Sequence, residues 1–170
     1  MIRFGFLLAG LALCAGLVSC GHYRLGTESA RNFQTLHVEL VKSEALVPQA
    51  VALVSTQVRE AFIKDGRVKL VNSAAEADAT LVLTLEALRR DIAVVRPDDT
   101  GLARRFDVTL QARAELRDNR AGTLVFASRP LLARRGVFAD SGQIQAEYQT
   151  LPLLAEKLAD EALRAVLDVW

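Results

Sequence analysis

An apolar run from Ile2 to Val18 opens the chain and ends abruptly at Cys20, after which the sequence turns polar. Arg3 is the one charged side chain before the cysteine. A comfortable membrane-spanning helix needs about 20 apolar residues, and this run is shorter. A positive charge, a short apolar stretch and small residues before a break are typical of a secretory signal peptide. Residues 1–19 are therefore predicted to be a signal peptide, and the folded domain must follow it.

The residues at the break, Leu17-Val18-Ser19-Cys20, resemble the bacterial lipobox. The likeness implies that the thiol of Cys20 is acylated and that cleavage makes Cys20 the mature N-terminus. One acyl chain holds a protein to a membrane only marginally, and the likeness implies three. Gly21 stands where an Asp would indicate inner-membrane retention in enterobacteria, so the periplasmic side of the outer membrane is the expected location. The alternative interpretation is an ordinary signal peptide with a chance cysteine.

Charge and cysteine content exclude several classes of function. The formal charge of +1 includes Arg3, so the chain after cleavage is neutral, which argues against nucleic-acid binding. Of the two cysteines, Cys14 lies in the signal peptide and Cys20 would carry lipid. The roughly 150 residues that remain are enough for one domain with a core. This domain is expected to fold with neither a disulfide nor a thiolate metal site.

The start of the mature chain shows a tether and two periodic elements. Residues 20–31 are predicted to be the lipidated cysteine and a tether, and residues 32–170 a single periplasmic domain. Phe33 to Leu40 alternates apolar and polar residues, which predicts a strand. Leu46 to Asp65 repeats apolar residues at helical spacing, and Gly66 follows where a glycine commonly ends a helix.

The second half of the chain is dominated by alternating patterns. Ala79 to Arg90 and Phe106 to Leu116 alternate on either side of the turn residues Pro97 to Gly101, which predicts a hairpin with one solvated face. The alternation places Leu88 and Arg90 on the face opposite Leu83. The other predicted elements are a short strand, a strand that Pro130 would confine to an edge or a bulge, and a helix: Arg67 to Val71, Thr123 to Ser128, and Tyr148 to Trp170.

Two helices with single apolar stripes and several half-solvated strands bury their apolar sides most simply as two layers. The predicted fold class is therefore α+β, a two-layer sandwich in which two helices pack on one face of a mainly antiparallel four-stranded sheet. The core is expected on the inner stripes, which include Leu83 of the hairpin and Leu158 of the last helix.

The segment after Cys20 resembles the opening of the LPS-assembly lipoproteins of the LptE family. Gly21 and Tyr23 match the Gly-Tyr-x-Leu type segment of that family, with His22 inserted between them. The family's strand, helix, glycine-led strand and Ala-Asp turn then follow in order: Phe33 to Leu40, Leu46 to Asp65, Gly66 to Val71 and Glu76 to Ala79. The resemblance covers the mature chain and rests on order and spacing. It implies a non-enzymatic protein that contacts LPS and sits inside the β-barrel partner LptD.

Candidate catalytic groups are few. His22 lies in the tether and His37 on a strand, and nothing marks a serine that His37 could activate. His37 is interpreted as a solvent-facing strand residue. Neither a His-x-x-x-His pair nor a cysteine pair indicates a metal site. We therefore expect no enzymatic activity, no catalytic residue and no metal or other cofactor.

Arginines are concentrated towards the ends of the predicted strands. Four of them are predicted to meet across the hairpin as a basic patch that binds LPS: Arg89, Arg90, Arg104 and Arg105. The planar guanidinium group pairs with phosphate in a bidentate way, so such a patch suits the phosphates of lipid A. The opposing interpretation is a set of solvated arginines paired with nearby acids: Asp91, Asp107 and Glu86.

Two functions therefore stay open. In the first, the protein is an outer-membrane lipoprotein subunit of the LPS translocon that binds LPS and supports assembly and plugging of the barrel LptD. In the second, it is a different periplasmic lipoprotein, a cell-wall synthase activator or an envelope scaffold, that shares only the anchor and the α+β layout. Co-purification with a large β-barrel protein would distinguish them.

Overall fold

The computed structural model describes residues 33–95, 103–138 and 143–168. The strands are β1 (Thr35–Val38), β2 (Lys42–Ser43), β3 (Lys69–Val71), β4 (Ala79–Val95), β5 (Ala103–Asp118) and β6 (Thr123–Phe138). The helices are α1 (Pro48–Asp65) and α2 (Gln143–Leu167), with a short 3₁₀ turn at Ala74–Glu76. Cys20, the tether and the predicted turn Pro97 to Gly101 lie outside the described residues.

The sheet is mixed rather than mainly antiparallel. Its strands run in the order β3-β1-β4-β5-β6, and β2 also pairs with β4. β1 is parallel to β3 and to β4, whereas β4, β5 and β6 are antiparallel. The α+β class is confirmed, but the prediction of four mainly antiparallel strands is corrected to a six-stranded mixed sheet. The helix α1 connects β1 to β3 as a crossover, which returns the chain in the same direction, and β2 is too short to show a periodic pattern.

A bulge in β4 changes which face its later residues take. Leu83 and Leu85 are fully buried on the helix side of the sheet. Glu86, the next residue, has no register partner on β5. This one extra residue reverses the face of the sheet that each later residue of β4 occupies. Leu88 and Arg90 therefore lie on the helix side with Leu83, and the prediction that they face away from it was wrong. The alternating sequence alone contains no mark of this bulge.

Both predicted helices are confirmed. α1 begins at Pro48 and is capped by Gly66, whose φ of 70° is the left-handed conformation that glycine adopts without steric cost. α2 begins at Gln143, earlier than the predicted Tyr148, and contains Pro152. Their inner faces pack on the sheet through buried side chains that include Val54, Val58, Phe62, Leu154 and Leu158. Neither described helix is long and apolar enough to cross a membrane.

The strand β6 is longer than predicted but has the predicted place at the edge of the sheet. It extends to Phe138 and, within the described part of the chain, pairs with β5 alone. Pro130 lies inside it, in agreement with the rule that proline in a sheet is confined to edges and bulges. The side of the sheet away from the helices carries no second layer in the described residues, and we call it the open face.

Candidate functional site

The two helices are parallel, which gives the domain two distinct ends. The side-chain amide of Gln49 donates to the hydroxyl of Tyr148 at 3.4 Å near the starts of α1 and α2. Arg67 bridges Asp65 at 2.7 Å and Asp168 at 3.3 Å where both helices finish. We call the end where the helices finish and β1 begins the anchor-side end, because the first described residues lie there and the predicted tether precedes them in the sequence. The opposite end, where β6 finishes, is the distal end.

The predicted arginines all fall in the distal half of the hairpin, but the structure does not gather them into one cluster. Arg90 lies opposite Val108 on the helix side, whereas Arg105 lies four residues further along, opposite Val94, a separation of about 13 Å. Arg89, opposite Thr109, faces the open side with Arg105. The pleat and the bulge together separate the guanidinium groups onto two faces. Arg104 lies in β5, and its side chain is outside the described part of the structure.

Acidic side chains on the open face neutralise part of this charge. Asp107 accepts a hydrogen bond from Arg134 at 2.6 Å and lies 3.9 Å from the guanidinium of Arg105. The hydrogen bond to Asp107 raises the pKa of Arg134. Arg105 also lies over the ring of Phe138, 5.8 Å from its centroid. The interpretation of paired arginines therefore fits Arg105 and its neighbours on the open face.

A second charged network holds the segment that contains β2 to the open face. The guanidinium of Arg113 donates to Glu86 at 2.8 Å and also to Glu44. The hydrogen bond from Arg113 lowers the pKa of Glu44, and its charge acts in the same direction. The bulged residue Glu86 thus has a partner across the sheet. Together with the pair formed by Asp107 and Arg134, this network gives the open face several solvated ion pairs.

The helix side of the distal end holds an open cleft of about 340 Å³. Its floor is apolar and is formed by Leu88, Val108 and Leu151, while the first turn of α1 and Tyr148 form its wall. Arg90 also lines the cleft, is exposed, and has an interaction partner within the chain. A cation beside a small apolar cleft suits an amphiphile with an acidic head. Sequence reasoning missed the cleft because the bulge is what turns Leu88 and Arg90 into it.

Large apolar side chains surround this end of the molecule. Leu46, at the cleft, is fully exposed. On the last part of β4 and of β6, Ile92 is 63% and Phe138 61% exposed. Clusters of exposed apolar side chains mark sites that contact another protein or a lipid. The distal end therefore combines apolar surface with the arginines of the hairpin.

Asp78 stabilises the anchor-side end of the domain through hydrogen bonds and an ion pair. One of its carboxylate oxygens accepts the backbone N–H groups of Gln34 at 2.8 Å and Thr35 at 3.0 Å, and its own N–H donates to the hydroxyl of Thr35 at 2.8 Å. Arg120, in the turn between β5 and β6, lies 2.5 Å from the other oxygen. The two backbone N–H groups, more than the charge of Arg120, hold the pKa of Asp78 below its usual range. This carboxylate joins three segments that are distant in sequence.

The described residues include one histidine, His37, and no cysteine. His37, interpreted as solvent-facing, is half-buried, and its Nδ1 lies 3.3 Å from the carbonyl oxygen of Val71. Within the described ranges, no group of three His, Cys, Asp or Glu residues is placed to hold a metal ion. The geometry that is present, an arginine beside an apolar cleft and a charged open face, is suited to binding.

The sequence matches the model of one protein family, LptE, lipopolysaccharide-assembly, over residues 33–166. The chain belongs to the LptE family. No curated protein is a significant match to it. Among solved structures, XCC0632 from Xanthomonas campestris is 15% identical with a TM-score of 0.61, over 80% of this chain and 84% of the other. The hypothetical protein CT253 from Chlamydia trachomatis is 11% identical with a TM-score of 0.55, over 78% and 94%. These two likenesses show a shared fold.

Membership of the LptE family confirms the resemblance that the order of elements indicated. The family is one of non-enzymatic LPS-assembly lipoproteins, so the chain is an LptE-like envelope lipoprotein. The match begins at residue 33, and the Gly-Tyr-x-Leu type segment lies before it and outside the described residues. The Ala-Asp turn does lie inside the match, and the structure explains its aspartate, since Asp78 holds the first strand of the domain in place.

Asp78→Asn in this LptE-family chain is expected to destabilise the domain at neutral pH. It is also expected to make the free energy of unfolding depend less on pH in the acid range. The folded-state pKa of Asp78 is lowered, so its contribution is complete above the unfolded pKa of about 3.9 and is lost as the pH falls through the folded value. Asparagine cannot titrate, and the variant should lose less stability than the parent below about pH 4. Urea unfolding midpoints measured across the acid range would show this.

Glu76→Gln is the control for the Asp78 variant. It removes one negative charge from an exposed side chain in the same turn and leaves the carboxylate that binds Gln34 and Thr35 untouched. An Asp78→Asn protein with the stability and the acid profile of the parent would show that the carboxylate does not hold β1.

Proposed function

We propose that this protein is an outer-membrane lipoprotein subunit of the LPS translocon, anchored through acylated Cys20 on the periplasmic side. In this role it binds LPS at its distal end and supports assembly and plugging of the barrel LptD. Family membership supports the assignment to LPS assembly. The observation that carries the LPS-binding part is the position of Arg90 beside the apolar cleft at the distal end.

The chemistry of lipid A fits this arrangement. Lipid A presents phosphate groups next to acyl chains, so its binding site needs a cation beside apolar surface. Arg90 offers the guanidinium, and Leu88, Val108 and Leu151 offer the apolar floor. The cleft has a volume of about 340 Å³, and the exposed Leu46 and Ile92 extend the apolar surface beyond it.

The open face supports the proposed position inside a barrel. The lumen of a wide barrel is polar and hydrated, so a protein that plugs it needs a solvated surface with a balanced charge. The open face offers ion pairs of both signs, with Arg113 between Glu44 and Glu86 and with Asp107 between Arg105 and Arg134. Such pairs stay hydrated and contribute little to stability, so their charged groups are available for recognition.

Replacement of Arg89, Arg90, Arg104 and Arg105 together by Ser is expected to weaken LPS binding and to reduce its salt dependence. A charge-assisted hydrogen bond contributes about 1.5 to 3 kcal/mol, and 1.4 kcal/mol is a factor of ten in affinity. We therefore expect at least about a tenfold loss for Arg90→Ser alone. Arg89→Ser, on the open face, should cost less. Binding to purified LPS is measured beside a melting curve for each variant.

Arg117→Ser is the matched control for these arginine variants. Arg117 is an exposed arginine of the same hairpin, but it lies at the anchor-side end of β5. Its loss should leave LPS affinity unchanged. If the quadruple variant melts like the parent, binds LPS equally well and rescues a strain depleted of the native protein, LPS is bound elsewhere.

A further inference from the structure

We propose that the tip of the hairpin β5–β6 is a membrane-contacting surface that rests on the bilayer in which the acylated Cys20 is inserted. The surface consists of Leu124 and Val125, which follow the turn at Gly122, and of Ile63 near the end of α1. The inference rests on the proposed lipid anchor and on the placement of these side chains beside the point where the tether enters the domain.

The hairpin tip lies directly beside the entry of the tether. Asp78 binds the N–H groups of Gln34 and Thr35, the second and third described residues after the tether, and it also pairs with Arg120 of the tip at 2.5 Å. The backbone N–H of Asn119 donates to the carbonyl of Asp78 at 2.8 Å. The tip is therefore fastened to the residues at which the tether joins the fold.

The length of the tether limits how far this end can lie from the bilayer. Thirteen peptide units separate Cys20 from Phe33, and an extended chain spans at most about 3.6 Å for each, or about 47 Å in total. The distal end is farther still, because β6 alone has sixteen residues and a length of about 50 Å. Of the two ends, the anchor-side end is therefore the one nearest along the chain to the inserted cysteine.

The exposed side chains of the tip fit a lipid surface. The six residues from Arg120 to Val125 are all exposed, and within them Leu124 is 50% and Val125 44% exposed. At the same end, Ile63 is 68% exposed at the end of α1. Apolar side chains at an interface insert into the boundary between head groups and acyl chains, and a lipid anchor adds to such binding.

The charges of the anchor-side end are nearly balanced, so the contact is apolar rather than driven by anionic lipid. Cations there include Lys64, Lys69, Arg117 and Arg120, and anions include Asp65, Glu76, Asp118 and Asp168. Arg67 is already paired with Asp65 and Asp168. The occupant that this surface fits is therefore the bilayer itself, and the exposed leucine and valine are the side chains that enter it.

A matched pair of labelled positions on β6 tests the contact. Leu124 and Leu132 are the same residue type, 50% and 54% exposed, and eight residues, about 26 Å, apart along one strand. After signal cleavage and acylation of Cys20 the mature chain has no other cysteine, so Leu124→Cys and Leu132→Cys each give one site for an environment-sensitive fluorophore. The full-length lipoprotein is reconstituted in phosphatidylethanolamine–phosphatidylglycerol vesicles that contain doxyl-labelled lipid.

We expect the label at position 124 to be quenched by the doxyl lipid at least threefold more strongly than the label at position 132, with a blue-shifted emission. Equal quenching at the two positions, in protein that floats with the vesicles, overturns the hairpin contact and leaves the proposed function standing. Protein that fails to float overturns the lipid anchor, and the hairpin contact falls with it. Stronger quenching at position 132 would reverse the proposed orientation of the domain and so contradict the inference.

Discussion

Leu158→Ala is expected to lower the free energy of unfolding by about 2 to 5 kcal/mol. Leu158 on α2 and Leu83 on β4 are both 0% exposed and belong to one core cluster between the helices and the sheet. Alanine loses the transfer free energy of the removed atoms and leaves a cavity that the neighbours only partly fill. Leu83→Ala should fall in the same range. Urea-induced unfolding of each variant measures the loss.

Leu132→Ala is the matched control for the core variants. It makes the same substitution on a side chain that is 54% exposed on the open face, where a change usually stays within about 0.5 kcal/mol. If Leu83→Ala and Leu158→Ala both unfold at the urea concentration of the parent, the helix side of the sheet is not the core of this domain.

Cys20→Ala is expected to abolish palmitate labelling and to leave the precursor uncut by the lipoprotein signal peptidase. Cys20 is the only cysteine after the apolar segment, so the variant has no other thiol at that position to accept the acyl chain. Because the thiol of Cys20 is needed for acylation, its removal effectively abolishes attachment to the membrane through several acyl chains. Metabolic labelling with palmitate and the gel mobility of the product measure both effects.

Cys14→Ala is the control for this loss. It removes the other cysteine of the chain, which lies within the predicted signal peptide, and it should leave both labelling and cleavage intact. Labelling of the Cys20→Ala protein at the level of the parent would show that the lipobox likeness is a coincidence.

The elements with long, regular patterns could be predicted from the sequence. α1 follows from apolar residues at helical spacing and from Gly66, which has the left-handed φ expected of a glycine cap. The hairpin β4–β5 follows from two alternating runs around a cluster of turn residues, and its antiparallel pairing is as predicted. Local chemistry decides these features, so a single sequence is enough to recognise them.

The sheet order and the face of Arg90 could not be predicted, because they depend on pairing between distant segments. β2 has only two residues, Lys42 and Ser43, and gains its place by pairing with Thr84 and Leu85 of β4. The skip at Glu86 is visible only when β4 is aligned with β5. The alternating pattern correctly placed Leu88 and Arg90 on a common face, but the skip turned that face toward the helices.

The candidate site was predictable in its chemistry and not in its geometry. Arginines near the strand ends pointed to the distal half of the hairpin, yet the separation of Arg90 from Arg89 and Arg105 onto different faces follows from the pleat and the bulge together. The role of Asp78 was also hidden, since the N–H groups that it binds lie more than forty residues earlier in the chain. Hydrogen bonds across such distances leave no local pattern.

Purification of the tagged lipoprotein from solubilised outer membrane tests the proposed function most directly. If the chain is the translocon subunit, a large β-barrel protein, LptD, should be recovered with it in near-equal amount, together with LPS. An unrelated outer-membrane lipoprotein carrying the same tag is the control and should recover neither. Recovery of the protein without a barrel and without LPS, or with a cell-wall synthase in their place, would contradict the assignment to LPS transport.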